Sequence, residues 1–368
     1  MGVLDWAEVS RSHAPVVEGY KYLRKKPHKG YIPPRTERQS LSGSNKKLPE
    51  REDMDAIPNE LLSIIVEHAC SDVGSTASAL LLVSRRIRDS VQPFLYTTIA
   101  VEGIKQLREL QSRLDSRPEH LRRVRHAFIS TKAQGHLQED NNYTDSIIDD
   151  CRYYDEELAE MSKLLNAIAP TVLTLTFLAN NSATSTMLCA RVLETPFPHL
   201  EELTLSGFYP YPCASNMPML RSLHLLGNRN PHGLFQLGSL DAYPALTHLR
   251  ISGLTGAVSF ANELKNVLLA EAGILEDVDP FDMGLADSSS RLPSGLVSVQ
   301  VQVDPTRVEQ GYRAKCNERM LRTLRDLQET VRERNECRFS FDLLSGPTDE
   351  GDIGILSRKN WRNDRIGS

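Results

Sequence analysis

Nothing in this chain runs apolar for long. Its 368 residues are 40% hydrophobic, yet no stretch reaches the ~18 consecutive apolar residues that a membrane-crossing helix needs. Met1 to Ser10 lacks the basic start and apolar centre of a secretory leader. Glycine follows Met1, but Trp6 stands where a myristoylation motif requires Ser or Thr. Cysteine is sparse: Cys70, Cys151, Cys189, Cys213, Cys316 and Cys337 include no C-x-x-C pair, which fits reduced core thiols better than a disulfide frame or a zinc site. A glycine-rich phosphate loop, H-E-x-x-H and G-x-S-x-G are all missing. The ten histidines show no metal-ligand spacing. These absences predict no membrane partner, no metal, no cofactor, no enzymatic activity and an intracellular address, cytoplasmic and/or nuclear.

Charge is present but unevenly placed. Arg11, Lys21, Arg24, Lys25, Lys26, Lys29, Arg35, Arg38, Lys46 and Lys47 make the first fifty residues basic, whereas the remainder is net acidic. Pro27, Pro33, Pro34 and Pro49, with Ser40, Ser42, Gly43 and Ser44, leave too few clustered apolar groups there to offset the entropy of ordering. A disordered arm is expected. Its run from Lys21 to Lys29 reads as a solvated charge run, with a nuclear import signal or a weak nucleic-acid contact as the other reading; nucleic acid is not an expected partner.

Residues 57 to 101 carry the densest information. Pro58 suits the first turn of a helix, where its missing N–H is no loss. Leu61, Ile64, Ile65 and His68 then recur at the three- and four-residue steps of one helical face, and Leu62, Val66 and Ala69 occupy a second. A three-turn helix that is apolar nearly all round has to be covered on most sides. A turn from Cys70 to Thr76 leads to Ala79-Leu80-Leu81-Leu82-Val83-Ser84-Arg85-Arg86-Ile87-Arg88. The proline-started helix, the short turn, the helix ending in valine plus a small residue and the Arg-Arg pair together resemble the F-box. That resemblance implies docking on the Skp-type adaptor of a cullin-RING ubiquitin ligase, with contacts at Ile57, Pro58, Leu61, Ile64, Ile65, Val83 and Ile87. Ile57 replaces the usual leucine before the proline, and Ile87 stands where many members have tryptophan. A structural cap for whatever follows is the alternative reading.

Beyond Tyr96 the rhythm changes to a repeat. Pro170-x-Val172-x-x-Leu175-x-Phe177, Pro198-x-Leu200-x-x-Leu203-x-Leu205, Pro218-x-Leu220-x-x-Leu223-x-Leu225 and Pro244-x-Leu246-x-x-Leu249-x-Ile251 share the pattern P-x-L-x-x-L-x-L, spaced about 20 to 28 residues apart. Looser copies run from Pro293 through Leu296, Val299 and Val301, and from Pro118 through Leu121 and Val124. The last two apolar positions alternate as in a strand, and the first closes the turn that enters it. No unit can bury its apolar face alone, so units are expected to stack. The interval from Pro244 to Pro293 is long enough for two units, one with an eroded strand.

Between the strands the sequence supplies amphipathic helices. Gly103 to Leu114 aligns Ile104, Leu107, Leu110 and Leu114; Asp145 to Ile168 aligns Ile147, Ile148, Cys151, Tyr154, Leu158, Met161, Leu165 and Ile168. Ala261 to Leu275 and Val308 to Glu336 follow, the latter with Tyr312, Met320, Leu324, Leu327 and Val331 inward. Irregular repeats after an F-box-like start, with Leu81-Leu82-Val83-Ser84-Arg85-Arg86 and then Pro93-Phe94-Leu95-Tyr96-Thr97-Thr98-Ile99, resemble the large group of fungal F-box proteins. The predicted class is α/β: a basic arm over 1–52, a short three-helix F-box-like module over 53–98, an irregular leucine-rich-repeat-like solenoid of strands and helices over 99–345, and a flexible tail over 346–368. The resemblance implies a substrate-recognition subunit that meets a cullin through the adaptor and holds an unknown protein target. The alternative is a repeat scaffold with no ligase role. Candidate target-binding residues are His224, His248 and Arg250, which flank inward leucines with Thr204, Ser206 and Ser252, and the aromatic rim Phe208, Tyr209 and Tyr211, which serves either as interface anchors or as packing.

Overall fold

The computed structural model describes residues 57–131, 146–180, 184–210, 216–235, 240, 242–272, 292–304, 311–333 and 337–344, with 146–154 as backbone only. The basic arm, Tyr211, the Cys151 and Cys213 side chains and the tail lie outside them. The chain falls into two compact units, 1–64 and 65–368.

The first unit contributes the start of α1 (Asn59–Ala69), where the Pro58 carbonyl accepts the Leu62 N–H at 3.0 Å. Leu62 is buried, whereas Leu61 and Ile64 are 52% and 53% exposed.

The second unit holds the end of α1, where Val66 and Cys70 are buried. Ala69, expected on that covered face, is exposed; the face runs through Val66 to Cys70, four residues on, which is the better helical step. α2 (Ser75–Leu80) starts on Asp72, whose carboxylate accepts the Thr76 N–H at 3.0 Å, the Thr76 hydroxyl at 2.9 Å and the Ser75 hydroxyl. α3 (Arg85–Val91) starts on Ser84, whose Oγ accepts the Ile87 N–H at 3.2 Å.

Eight strands follow: β1 (Thr98–Glu102), β2 (His126–Ser130), β3 (Thr174–Leu178), β4 (Glu202–Ser206), β5 (Ser222–Leu226), β6 (His248–Leu254), β7 (Ser298–Val303) and β8 (Ser340–Leu344). They form one all-parallel sheet whose spatial order is their sequence order. Parallel neighbours need a crossover, and the crossovers carry α4 (Gly103–Asp115), α5 (Ser146–Ile168), α6 (Ser185–Glu194), α7 (Val258–Glu271) and α8 (Tyr312–Glu333). The molecule is thus an α/β protein with strands and helices alternating.

Register makes the core legible row by row. Ile99, Ala127, Leu175, Leu203, Leu223, Leu249, Val299 and Phe341 align across the sheet, and two residues on, so do Val101, Ile129, Phe177, Leu205, Leu225, Ile251, Val301 and Leu343. Both rows enter one apolar cluster with Leu107, Leu114, Met161, Leu164, Leu188, Leu264, Met320 and Leu324 from the helices. The turn-closing residues Val172, Leu200, Leu220, Leu246 and Leu296 are all buried in it.

Three sequence expectations change. Val124 is not a strand residue but the turn-closing position before β2, since it stands two residues ahead of the strand as Val172 does before β3. The strand's own inward residues are Ala127 and Ile129, and the small Ala127 hid the motif. Second, β6 pairs directly with β7, so among the described residues no further strand stands between them. Third, Tyr312 is 81% exposed at the start of α8, while Met320, Leu324, Leu327 and Val331 are buried. The buried stripe begins at Asn317, more than a turn into the helix.

The strand faces opposite the helices differ along the sheet. At β2 and β3 two apolar residues of this face are covered: Phe128 and Leu178 are buried together, with Val73 and Ala100 packed on them. The α1–α2 turn reaches this end, since the Thr98 hydroxyl donates to the Ser71 carbonyl at 3.4 Å and Arg125 pairs with Glu67 at 2.6 Å. From β4 onward the first two outward positions of each strand are polar.

Candidate functional site

The first candidates are the exposed aliphatic residues of the N-terminal helices, each within its own unit. Leu61, Ile64 and Ile65 share a stripe of α1 by their spacing, and Ile65 is 53% exposed like its neighbours. In the turn between α2 and α3, Leu82 is 82% and Val83 61% exposed. Pro58 is exposed and Ile57 half-buried. Ile87 differs from the other candidates: it is buried, on the inward side of α3 with Val91. Exposed large aliphatic side chains at this density are unusual on a surface that meets only water.

The second candidate surface is the open face of β4 to β8. Between the two inward positions of each strand stands one outward residue, and register aligns Thr204, His224, Arg250, Gln300 and Asp342 in a single row. The row before it is Glu202, Ser222, His248, Ser298 and Ser340. A shallow depression of about 250 Å3 lies among Thr204, Ser222, His224, His248, Arg250, Ser298 and Gln300. The expected register is the observed one: Thr204, Ser206, His224, His248, Arg250 and Ser252 all lie opposite the inward leucines.

Two of the residues that line the depression, His224 and Arg250, belong to a hydrogen-bonded relay. His224 Nε2 meets Ser252 Oγ at 2.9 Å, and Ser252 Oγ donates to Gln302 Oε1 at 3.3 Å. A hydroxyl has one proton, so Ser252 accepts from His224, whose Nε2 carries the hydrogen. Gln302 Oε1 also accepts from Arg250 Nη2 at 2.9 Å. Burial, and secondly the Arg250 charge, push the His224 pKa down to about 3, so the imidazole is neutral at physiological pH. Burial also lowers the Arg250 pKa. No family model and no curated protein matches this sequence.

The aromatic rim divides. Tyr209 is buried within the main core, whereas Phe208 is half exposed. Packing is therefore the role of Tyr209, and Phe208 alone of the described pair faces outward. Gly207, just before them, has a backbone φ of 140°, and an added Cβ would lie 3.1 Å from Ala179 Cβ, Cys189 Sγ and Ser185 Cβ.

Sequence reasoning missed Ser222, Ser298, Gln300 and Gln302. The signal existed, because the residues before, between and after the two inward positions of each motif copy are outward by parity. Elsewhere burial pushes the Cys70 thiol up to about 11, with Asp72 adding to the effect, and the Cys189 thiol up to about 12, so neither is a ready thiolate. Among the described residues no three His, Cys, Asp or Glu side chains cluster as metal ligands, and no helix is long and apolar enough to cross a membrane.

Proposed function

We propose that this protein is the substrate-recognition subunit of a Skp-cullin-F-box type ubiquitin ligase. The N-terminal helices form an F-box-like module that docks on the adaptor, and the repeats form an irregular leucine-rich-repeat-like solenoid whose open sheet face holds a protein target. The observation that carries this reading is the exposed aliphatic stripe Leu61, Ile64 and Ile65 on α1, joined in kind by Leu82 and Val83. Burying such a stripe against a partner contributes roughly 25 cal/mol per Å2 of apolar area. The sequential parallel sheet supports the repeat assignment, since stacked strand-and-helix units produce that order. The protein itself performs no bond chemistry; it raises the effective concentration of target lysines beside the transferring enzyme.

The test is co-purification of the full-length protein with a Skp-type adaptor, beside a Pro58→Ala, Leu61→Asp, Ile65→Asp variant. All three positions are exposed, so the variant should keep its circular dichroism and melting temperature and lose the adaptor. A folded parent that retains no adaptor would sink the ligase reading.

A second reading has its own support. Val73 packs on Phe128 and Leu178, and Glu67 pairs with Arg125, as expected if the α1–α2 turn caps the first strands of a repeat scaffold. The same co-purification separates the two, because a cap alone leaves the outer stripe of α1 without a partner.

A further inference from the structure

Arg250 stands on β6, midway along the open part of the sheet. Its Nη2 donates to Gln302, but Nε is buried without an acceptor. Among the described residues no carboxylate lies within ion-pair distance of this guanidinium. A half-buried cation is stabilised by a counter-ion, which offsets the part of its hydration that burial removes. The groups around it are neutral: His224 on one flanking strand, Gln300 on the other, and the hydroxyls of Ser222 and Ser298 in the adjacent row.

We propose that the depression over Arg250 is a carboxylate-binding subsite, taking a peptide carboxylate of the target as the missing counter-ion. The proposal rests on the reading of this face as the target-binding surface and adds the chemistry it selects. Guanidinium presents paired N–H donors matched to a planar carboxylate. A single cation balances one negative charge, and Glu202 and Asp342 stand in the same two outward rows, which disfavours a dianionic phosphate. The carboxylate comes from an Asp or Glu residue or from the C-terminus of the target.

The experiment uses the full-length protein and a random nonapeptide array made with amidated and with free C-termini. Enrichment of Asp or Glu among retained amidated peptides identifies an acidic residue as the source; retention confined to the free-ended set identifies a C-terminus; either supports the subsite. A retained peptide is then titrated by fluorescence anisotropy. Replacing its carboxylate by the amide should weaken binding about tenfold or more. Arg250→Gln should weaken it as much, with little further loss when both changes are combined. Gln300→Glu keeps Arg250 and sets a carboxylate beside it on the paired strand. It should abolish peptide binding while raising Tm by about 2 °C; a lowered Tm counts against the subsite. Peptides retained but indifferent to both the amide and Arg250→Gln overturn the carboxylate subsite and leave the face as a target surface. Retention of no peptide overturns both. A phosphoserine in place of the acidic residue that binds more than tenfold tighter overturns the choice of carboxylate.

Discussion

His224 is a residue whose protonation is tied to the fold. In the unfolded state its imidazole titrates near its ordinary value of 6.5, whereas in the folded state burial and Arg250 hold it down to about 3. Between those values the unfolded state binds more protons, so stability contributed by neutral His224 is present above pH 6.5 and is lost as pH falls toward 3. The slope from this one group is at most about 1.4 kcal/mol per pH unit. Urea unfolding of the parent and of His224→Gln between pH 7 and pH 4 should show a shallower acid loss in the variant; parallel curves would mean that His224 does not carry the effect. Gly227 sets a second limit at this scale. Its φ is +83°, and an added Cβ would sit 2.8 Å from the Gly207 backbone nitrogen in the neighbouring turn. Gly227→Ala should therefore cost about 1–3 kcal/mol by chemical denaturation, through backbone that cannot move aside. The polar row was readable in sequence because His224, His248 and Arg250 stand at fixed offsets from inward leucines. The tightness at Gly227 was not, since it arises between turns separated in sequence.

At the scale of the element, α1 separates two kinds of apolar residue that look alike in sequence. Leu62 and Val66 are buried; Leu61, Ile64 and Ile65 are exposed. Leu62→Ala should destabilise by about 2–5 kcal/mol, as truncations at covered leucines do. Ile64→Ser should stay within about 0.5 kcal/mol in the isolated protein and, on the proposed ligase reading, weaken adaptor binding instead. Thermal melts and co-purification of both variants check the pair, and a large stability loss from Ile64→Ser would move that residue to the covered side. Periodicity announced this helix and placed its faces to within one residue, Ala69 giving way to Cys70. The contact of Val73 with Phe128 and Leu178 was hidden because a turn residue meets strands far along the sequence. A trace existed: Phe128 and Leu178 are apolar at outward positions of β2 and β3, where a strand open to water would carry polar residues.

For the larger unit as a whole, the repeat was legible wherever the motif kept its proline and its large inward residues. It faltered at β2, where Ala127 is small, and in the interval before β7, where length alone suggested a strand and, among the described residues, none stands between β6 and β7. Strands meet only their sequence neighbours, yet a single apolar cluster runs from Ile99 to Phe341. Such an architecture transmits damage by position, because an inner strand is supported from two sides and the last from one. Leu205 lies in β4 with β3 and β5 on either side, whereas Phe341 lies in β8 with β7 alone and α8 behind it. Leu205→Ala should lower the global unfolding free energy by about 2–5 kcal/mol and reduce amide protection throughout the sheet. Phe341→Ala should free the amides of β8 and β7 while β3 to β5 keep their protection, because the strands before them form their pairs without the last. Hydrogen exchange read strand by strand distinguishes these outcomes. Uniform loss of protection in both variants would show that the eight strands unfold as one cooperative block, with coupling along the core stronger than neighbour contacts alone provide.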